Sequence, residues 1–196
     1  LITAEFPLAE AVAAFAAALD NEEVAGAKGP LRTAQRGLVP QFVQAEYADR
    51  YGHIRERARI DFIDNYSAAY RRDVFLTNGG FDTNFGAGED QELSFRLAEK
   101  GYRMVFVPEA AVVHLHDTRF MDYVRRKAAM GFWKAPLTAL HPERMVQDTH
   151  TPQVLKVQIV VASLLVLALP PALLASLWPP LQWVWLLAAG LLLFFL

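Results

Sequence analysis

This sequence has no cysteine and no surplus of basic residues, and each absence removes a class of protein. Without cysteine there is no disulfide framework, no thiolate metal site and no cysteine nucleophile. The composition also fits a reducing compartment. The 19 basic and 21 acidic residues give a net charge of −2, whereas a dedicated nucleic-acid binder normally has a basic excess. We therefore expect no nucleic-acid partner.

Charged residues are also missing from the C-terminal part of the chain. The last is Lys156, and residues 157–196 contain none. Residues 157–178 are long enough to cross a bilayer, which needs about 20 apolar residues, and residues 181–196 indicate a second span cut short by the end of the chain. The sequence thus predicts a transmembrane hairpin over residues 154–196. The alternative is a buried helical hairpin in a soluble fold.

Basic residues lie on one side of this predicted hairpin only. The positive-inside rule places the flank rich in Lys and Arg in the cytoplasm. We therefore expect a multi-pass protein of the inner (cytoplasmic) membrane with residues 1–150 facing the cytoplasm. No signal peptide is visible, because the apolar segment lies at the wrong end of the chain. The basic residues closest before the first span are Arg125, Arg126, Lys127, Lys134, Arg144 and Lys156.

The rest of the chain alternates between helix and strand patterns. Residues 7–21 predict an Ala-rich amphipathic helix with Val12 and Phe15 on one face. Residues 40–58 predict a highly charged surface helix, and residues 59–70 alternate like a strand. This alternation is typical of an α/β domain. The strands are too few for a complete doubly wound sheet, so we expect the chain to start partway into its domain.

A glycine-rich loop leads to two adjacent acids, Glu89 and Asp90, at a predicted helix start. Free backbone N–H groups and the helix dipole stabilise one carboxylate as a cap and lower its pKa. The second carboxylate could accept a proton from a hydroxyl nucleophile. The alternative is a capped helix after a flexible turn. The helix predicted from residue 90 ends at Gly101, a C-terminal cap, and one or two strands follow over residues 102–116.

Histidines and arginines flank these acids in the sequence. His114 and His116 alternate on a predicted strand, and we expect them to face opposite sides, so that only one could bind a given metal. A His beside carboxylates suits Mn²⁺ or Mg²⁺ with phosphate oxygens, although a hydrogen-bonded structural role is the alternative. Arg71 and Arg72 precede a Gly-Gly turn and could hold a diphosphate or be a solvated pair.

Taken in order, residues 70–116 resemble the family 2 glycosyltransferases of GT-A fold. That family has arginines before a Gly-Gly-Phe-Asp turn, then Glu-Asp opening a helix, then a strand ending Val-Pro-Glu-Ala with a histidine beyond it. The matching residues here are Arg71, Arg72, Gly79, Gly80, Phe81, Asp82, Glu89, Asp90, Leu93, Arg96, Leu97, Gly101, Tyr102, Val107, Pro108, Glu109, Ala110 and His114.

The resemblance implies a division of the chain and an activity. Residues 1–117 would be the C-terminal part of the GT-A domain, residues 118–153 an amphipathic basic–aromatic segment at the membrane surface, and residues 154–196 the membrane anchor. The enzyme would be inverting. It would use Mn²⁺ or Mg²⁺ and a nucleotide-diphospho-sugar donor, and its acceptor would be a lipid-linked or cell-envelope glycan.

The resemblance also implies roles for individual residues. Asp90 would be the general base, and Glu89 would orient the acceptor or cap the helix. Gly79, Gly80 and Phe81 would line the donor sugar and acceptor site. His114, or failing that His116, would contact the metal ion or the diphosphate, and Arg71 and Arg72 would bind substrate.

Two departures from the family pattern keep alternatives open. An Asp-X-Asp metal motif is absent, so it lies before Leu1 or the copy is degenerate, with Glu5 of Thr3-Ala4-Glu5 as its remnant. The Gln-X-X-Arg-Trp motif of processive members is also missing, although Trp133 follows nearby arginines. The missing motif favours transfer of one or a few sugars over synthesis of a long polymer. The rival hypotheses are a non-catalytic membrane module of degenerate transferase fold and, less favoured, a metal-dependent hydrolase.

Overall fold

The computed structural model describes residues 8–145, 149, 157–158, 160–168 and 190, and the chain divides into two units, Leu1–His150 and Thr151–Leu196. The elements of the first unit are α1 (Leu8–Leu19), β1 (Val24–Lys28), β2 (Leu31–Arg32), α2 (Leu38–Ile54), β3 (Ala68–Tyr70), α3 (Arg72–Thr77), α4 (Glu89–Glu99), β4 (Arg103–Phe106), β5 (Val112–Val113), α5 (Phe120–Leu140) and a 3-10 turn (Pro142–Met145).

The described residues of the second unit are helical. Within the described part of the chain, no helix is both long and apolar enough to cross a membrane. Most of the hairpin predicted over residues 154–196 lies outside the described residues, and so does Glu5.

The central sheet has the strand order β3-β1-β4. β1 runs parallel to β4 and antiparallel to β3, with Lys28 opposite both Phe106 and Ala68. A second, two-stranded sheet pairs β2 with β5 in parallel. The carboxyl ends of β1 and β4 therefore share one edge of the sheet with the start of β3. We call this edge, where β1 ends at Lys28, the carboxyl edge.

The helices pack around this sheet largely as the sequence pattern predicts. Helix α1 buries Phe15 as predicted. Another buried residue of this helix is Ala11, whereas Val12, which was predicted to share the buried face, is exposed. Helix α2 is less superficial than predicted, because it buries Val43, Tyr47, Tyr51 and Ile54 along one side. α4 buries Leu93 and Leu97 and ends before Gly101, whose φ of 87° gives the expected left-handed cap.

The predicted strand over residues 59–70 is mostly wrong. Only Ala68–Tyr70 is a strand, and Ile60 makes a single bridge to Met104. The segment does not alternate because both its apolar and its acidic side chains are buried: Ile60, Ile63, Asp61 and Asp64 are each at most 6% exposed. Side chains that each find a specific polar or apolar partner do not follow the two-residue period of a half-buried strand.

Lys28 and Asp64 form a buried ion pair at the carboxyl edge. Nζ of Lys28 lies 2.6 Å from Oδ2 of Asp64, and the side chains are 2% and 6% exposed. The Lys28 ammonium also lies 4.7 Å from the ring centroid of Phe62.

Gly29, the residue after Lys28, has no room for a side chain. A Cβ there would overlap the carbonyl oxygen of Ala110 and Ser67 Oγ. The end of β1 is therefore closed by contacts that leave no spare space.

Removing one partner of this ion pair is expected to destabilise the fold strongly. Lys28→Met alone leaves the Asp64 carboxylate buried without its cation, so the free energy of unfolding should fall by about 3–5 kcal/mol. The double variant Lys28→Met, Asp64→Leu buries no charge and should recover most of this loss. Denaturant unfolding of both variants measures the difference. Equal destabilisation by the single and double changes would show that the charge pairing is not the cause.

Candidate active site

Asn65 joins the carboxyl edge of the sheet to the start of α4. Its backbone N–H donates to Asp90 Oδ2 at 3.3 Å, and its side-chain amide donates to Glu89 Oε1 at 2.9 Å. Ser94 adds a second link, since its hydroxyl accepts the Ile63 N–H at 3.0 Å and donates to the Asp90 carbonyl at 2.6 Å. The two acids are thus held at the carboxyl edge, beside the Lys28–Asp64 pair.

The pKa of Asp90 is raised to about 6, which is opposite to the expectation for a helix N-terminus. Burial is the largest cause, and the negative charge of Glu89 is the next. The hydrogen bonds from the N–H groups of Asn65 and Gln91 lower the pKa but do not compensate. The loss of hydration, together with the nearby negative charge, therefore outweighs these hydrogen bonds at this position. A carboxylate with such a pKa is well matched to accept a proton near neutral pH.

The glycine-rich turn before α4 is fastened to that helix by Arg96. Its guanidinium donates to the carbonyl oxygens of Asn78 and Gly80 and forms an ion pair with Glu92 at 2.7 Å. Gly79 and Gly80 have φ values of 81° and 65°, which favour glycine. The ring of Phe81 packs edge-on against Phe75, with centroids 5.1 Å apart. The predicted substrate-binding residues Gly79, Gly80 and Phe81 thus form a rigid turn, and their contact with substrate stays a prediction.

The prediction that His114 and His116 face opposite sides is wrong. Their ring centroids lie 5.3 Å apart, and His114 also lies 4.4 Å from the ring of Tyr66. Residues two apart in extended chain share a side; it is adjacent residues that point to opposite sides. Burial lowers the pKa of both imidazoles, that of His116 to about 4. Both rings are therefore neutral at physiological pH.

A charged pair from α5 borders the histidines. Arg126 Nε lies 2.6 Å from Asp117 Oδ2, and its positive charge lowers the pKa of both His114 and His116 after the larger effect of burial. Burial raises the pKa of Tyr66. The charge of Arg126 lowers this pKa, and the charges of Asp64 and Asp90 raise it further. Tyr66, His114 and His116 are therefore neighbours, and the charges of both Arg126 and Asp90 act on Tyr66.

The described residues do not form a metal centre by themselves. Among them, no three His, Asp or Glu side chains lie close enough together to hold an ion. The neutral imidazole of His114 has the chemistry of a metal ligand, but it lacks the further ligands in this part of the chain. Metal ligation by His114 or His116 therefore stays a prediction.

Arg71 lies away from the acids, at the opposite end of the sheet. Because β3 is antiparallel to β1, its last residue Tyr70 pairs with Gly26, whereas its first residue pairs with Lys28 at the carboxyl edge. The Arg71 guanidinium donates to the carbonyl oxygens of Leu19, Val24 and Asn21. It thus supports the end of α1 and the start of β1. Arg72 is exposed at the first position of α3.

Comparison with known proteins identifies the family of this chain. The model of the glycosyltransferase-like family 2 matches residues 6–132. The chain belongs to glycosyltransferase family 2. It is 31% identical over 99 residues to a pre-mycofactocin glycosyltransferase of Mycobacterium tuberculosis, a match that covers 50% of this chain and 21% of that protein.

Two Salmonella proteins are similar to a shorter part of this family 2 chain. The O-antigen chain rhamnosyltransferase WbaN of Salmonella anatum is 39% identical over 56 residues, 29% of this chain and 18% of the relative. The O-antigen chain rhamnosyltransferase RfbN of Salmonella typhimurium is 31% identical over 74 residues, 38% of this chain and 24% of the relative. The chain therefore spans about a fifth of the length of the curated relatives that it matches.

Several residues of this glycosyltransferase site were not found from the sequence. Asn65 and Tyr66 lie in the segment predicted as a strand, where the polar run Asp64-Asn65-Tyr66-Ser67 was the available signal for a loop. Lys28 closes an otherwise apolar strand, and a lysine in that position indicates a buried partner. Arg126 stands in a run of basic residues, and nothing near it in sequence indicates its contact with Asp117.

The raised pKa of Asp90 predicts how stability depends on pH. The folded state favours the protonated carboxyl, so this contribution to stability is present below about pH 4 and is lost as the pH rises through about 6. Asp90→Asn should therefore raise the free energy of unfolding by about 1–3 kcal/mol at pH 7.5 and have little effect at pH 4. Thermal unfolding across this range tests it, with the exposed Asp73→Asn as control. A gain that does not depend on pH would contradict the prediction.

Proposed function

We propose that this chain is part of a membrane-anchored, inverting glycosyltransferase. The enzyme moves a sugar from a nucleotide-diphospho-sugar to a hydroxyl of a lipid-linked or cell-envelope glycan. Family membership supports sugar transfer in general. The names of the two O-antigen chain rhamnosyltransferases support an envelope glycan as acceptor. The uncharged residues 157–196 support the membrane anchor.

The observation that carries the proposal is the state of Asp90. Its carboxyl has a pKa of about 6 at the carboxyl edge of the sheet, with its position fixed by Asn65. General bases work best when their pKa lies near the operating pH. Glu89, whose carboxylate is held by the Asn65 amide at 2.9 Å, lies beside it to orient an acceptor hydroxyl.

The proposed step is a single displacement. Asp90 takes the proton from the acceptor hydroxyl while the oxygen of that hydroxyl forms a bond to the anomeric carbon of the donor. The bond between that carbon and the diphosphate oxygen breaks on the opposite face, and its electron pair leaves with the nucleotide diphosphate. Mn²⁺ or Mg²⁺ remains a proposal for the cofactor. Such an ion would neutralise charge on the departing diphosphate, and the described residues do not by themselves complete a site for it.

The outer face of α5 supports the position of the domain at a membrane surface. Two aromatic residues there, Phe120 and Phe132, are 66% and 72% exposed, and Met121 and Val124 are exposed on the same face. The opposite face carries Leu137, which is buried. An amphipathic helix of this kind places its apolar face at the boundary between headgroups and acyl chains. This supports the interfacial role that we propose for residues 118–153.

Loss of the base should abolish transfer. With the full-length protein in native-like membranes, radiolabelled nucleotide sugars and Mn²⁺, Asp90→Asn should lower transfer into lipid extract or polymer by about 10²–10⁴-fold. The wild-type rate should fall below a pH of about 6 as Asp90 becomes protonated. Protein level and nucleotide binding serve as controls.

The outcomes of this experiment separate the hypotheses. Transfer that survives Asp90→Asn would remove Asp90 from the chemistry. No transfer by the wild type with any donor would favour the alternative, a non-catalytic glycosyltransferase-like module for binding or assembly.

The absence of cysteine makes the membrane contact directly measurable. A fluorophore attached to a single cysteine at Val124→Cys or Phe132→Cys should be quenched by brominated lipids, because both positions lie on the exposed apolar face of α5. A label at Asp73→Cys, an exposed position on α3, should not be quenched. Equal fluorescence with and without brominated lipid at both α5 positions would show that this face does not contact the bilayer.

A further inference from the structure

A glycine that has no room for a side chain lies in the loop before Asp90. Gly86 does not have a positive φ, so its backbone conformation is open to any residue. A Cβ built on it would lie 2.6 Å from Cζ2 of Trp133 and 3.1 Å from Cε2. The three heavy atoms nearest to that Cβ all belong to the same indole. Gly86 is therefore required by its contact with Trp133 and not by the shape of the turn.

The loop over residues 82–88 has ordered local structure at both ends in addition to this contact. At its start, the Asp82 carboxylate accepts the Asn84 N–H at 2.9 Å. At its end, Gly88 has a φ of 86° and is the N-cap of α4. Between them, the ring of Phe85 lies 6.0 Å from that of Trp133. Trp133 thus contacts the middle of the loop that delivers Asp90.

Helix α5, which carries Trp133, is also attached to α4 at a second point. Nδ1 of His141 lies 2.8 Å from Oε1 of Glu99, and its ring packs edge-on against Phe95. This second attachment holds α5 beside α4 independently of the indole. A change at Trp133 would therefore loosen the loop without detaching the helix.

We propose that Trp133 is a positioning residue that acts through Gly86. Its indole holds the 82–88 loop in the one arrangement from which Glu89 and Asp90 reach the acceptor hydroxyl. The inference rests on the proposed function in assigning the proton transfer to Asp90. The rate of such a transfer depends on placement to within about 1 Å, and a misplacement of that size can lower it about 10²-fold. Substrate binding by the rest of the site does not depend on this contact.

Kinetics of a compensating pair of variants test the proposal. Gly86→Ala should lower kcat by about ten- to a hundredfold and leave the KM for the nucleotide sugar unchanged, because the added methyl group displaces the loop from the indole. Gly86→Ala with Trp133→Phe should recover much of kcat, since the smaller ring leaves space for the methyl group. Gly52→Ala is the matched control, because a Cβ there meets no atom within 4 Å.

Three kinetic results would overturn the proposal. One is a Gly86→Ala variant that behaves like Gly52→Ala. Another is a loss of kcat that persists undiminished in the double variant, which would show that the effect does not pass through the ring of Trp133. A rise in KM with unchanged kcat would likewise assign the loop to donor binding instead of positioning.

Hydrogen exchange tests the contact without relying on activity. In Trp133→Leu, the amides of residues 83–88 should exchange faster than in the wild type, whereas Phe120→Leu, a change at an exposed aromatic of the same helix, should have no effect on them. Unchanged exchange in Trp133→Leu would overturn the proposal. Absence of transfer by the wild type would instead count against the proposed function, and exchange would still decide whether Trp133 holds the loop.

Discussion

The buried ion pair between Lys28 and Asp64 is the interaction on which the rest of the site depends. Lys28 ends β1, and Asp64 lies in the segment just before β3 that contacts the start of α4, so their 2.6 Å contact fixes the position of that segment at the carboxyl edge. Charges held out of water are costly unless they are paired, and this cost makes the alternative positions of Asp64 unfavourable. Asn65, the next residue, then holds Glu89 and Asp90. The acids are thus placed by the sheet as well as by their own helix.

The electrostatics of Asp90 follow from this placement. A carboxylate at an exposed helix N-terminus is stabilised by the dipole, which is worth about 0.3–1 kcal/mol. Holding the start of α4 against the sheet removes hydration from the same carboxylate and leaves it beside Glu89, and these two effects together raise the pKa to about 6. The same local sequence would therefore give an ordinary helix cap with a low pKa on a solvated surface, whereas here the carboxyl keeps a raised pKa.

Patterns in the sequence were sufficient to predict the elements whose structure depends mainly on neighbouring residues. The 3.6-residue period of Leu93 and Leu97 and the Gly101 cap placed α4, and the order of the motifs identified the family. Long-range partners decided the rest. Nothing near Arg71 in sequence indicates that it bonds to carbonyl groups about fifty positions earlier, and Asp61 and Asp64 are buried by contacts with distant residues. The misassigned strand over residues 59–67 comes from treating an irregular, buried segment as regular. The misjudged direction of His116 has another cause, since residues two apart in extended chain share a side.

Gly29 has a consequence for how such a site can diversify. Any side chain there would overlap the Ala110 carbonyl and Ser67 Oγ, so the backbone at the end of β1 would have to shift to accept one. Thr83 and Asn84 differ, since both are exposed in the loop before α4. Sequence variation close to the two acids is therefore accommodated more easily in this loop than at Gly29. A saturation library of this chain should contain few tolerated changes at Gly29 and many at Thr83 and Asn84.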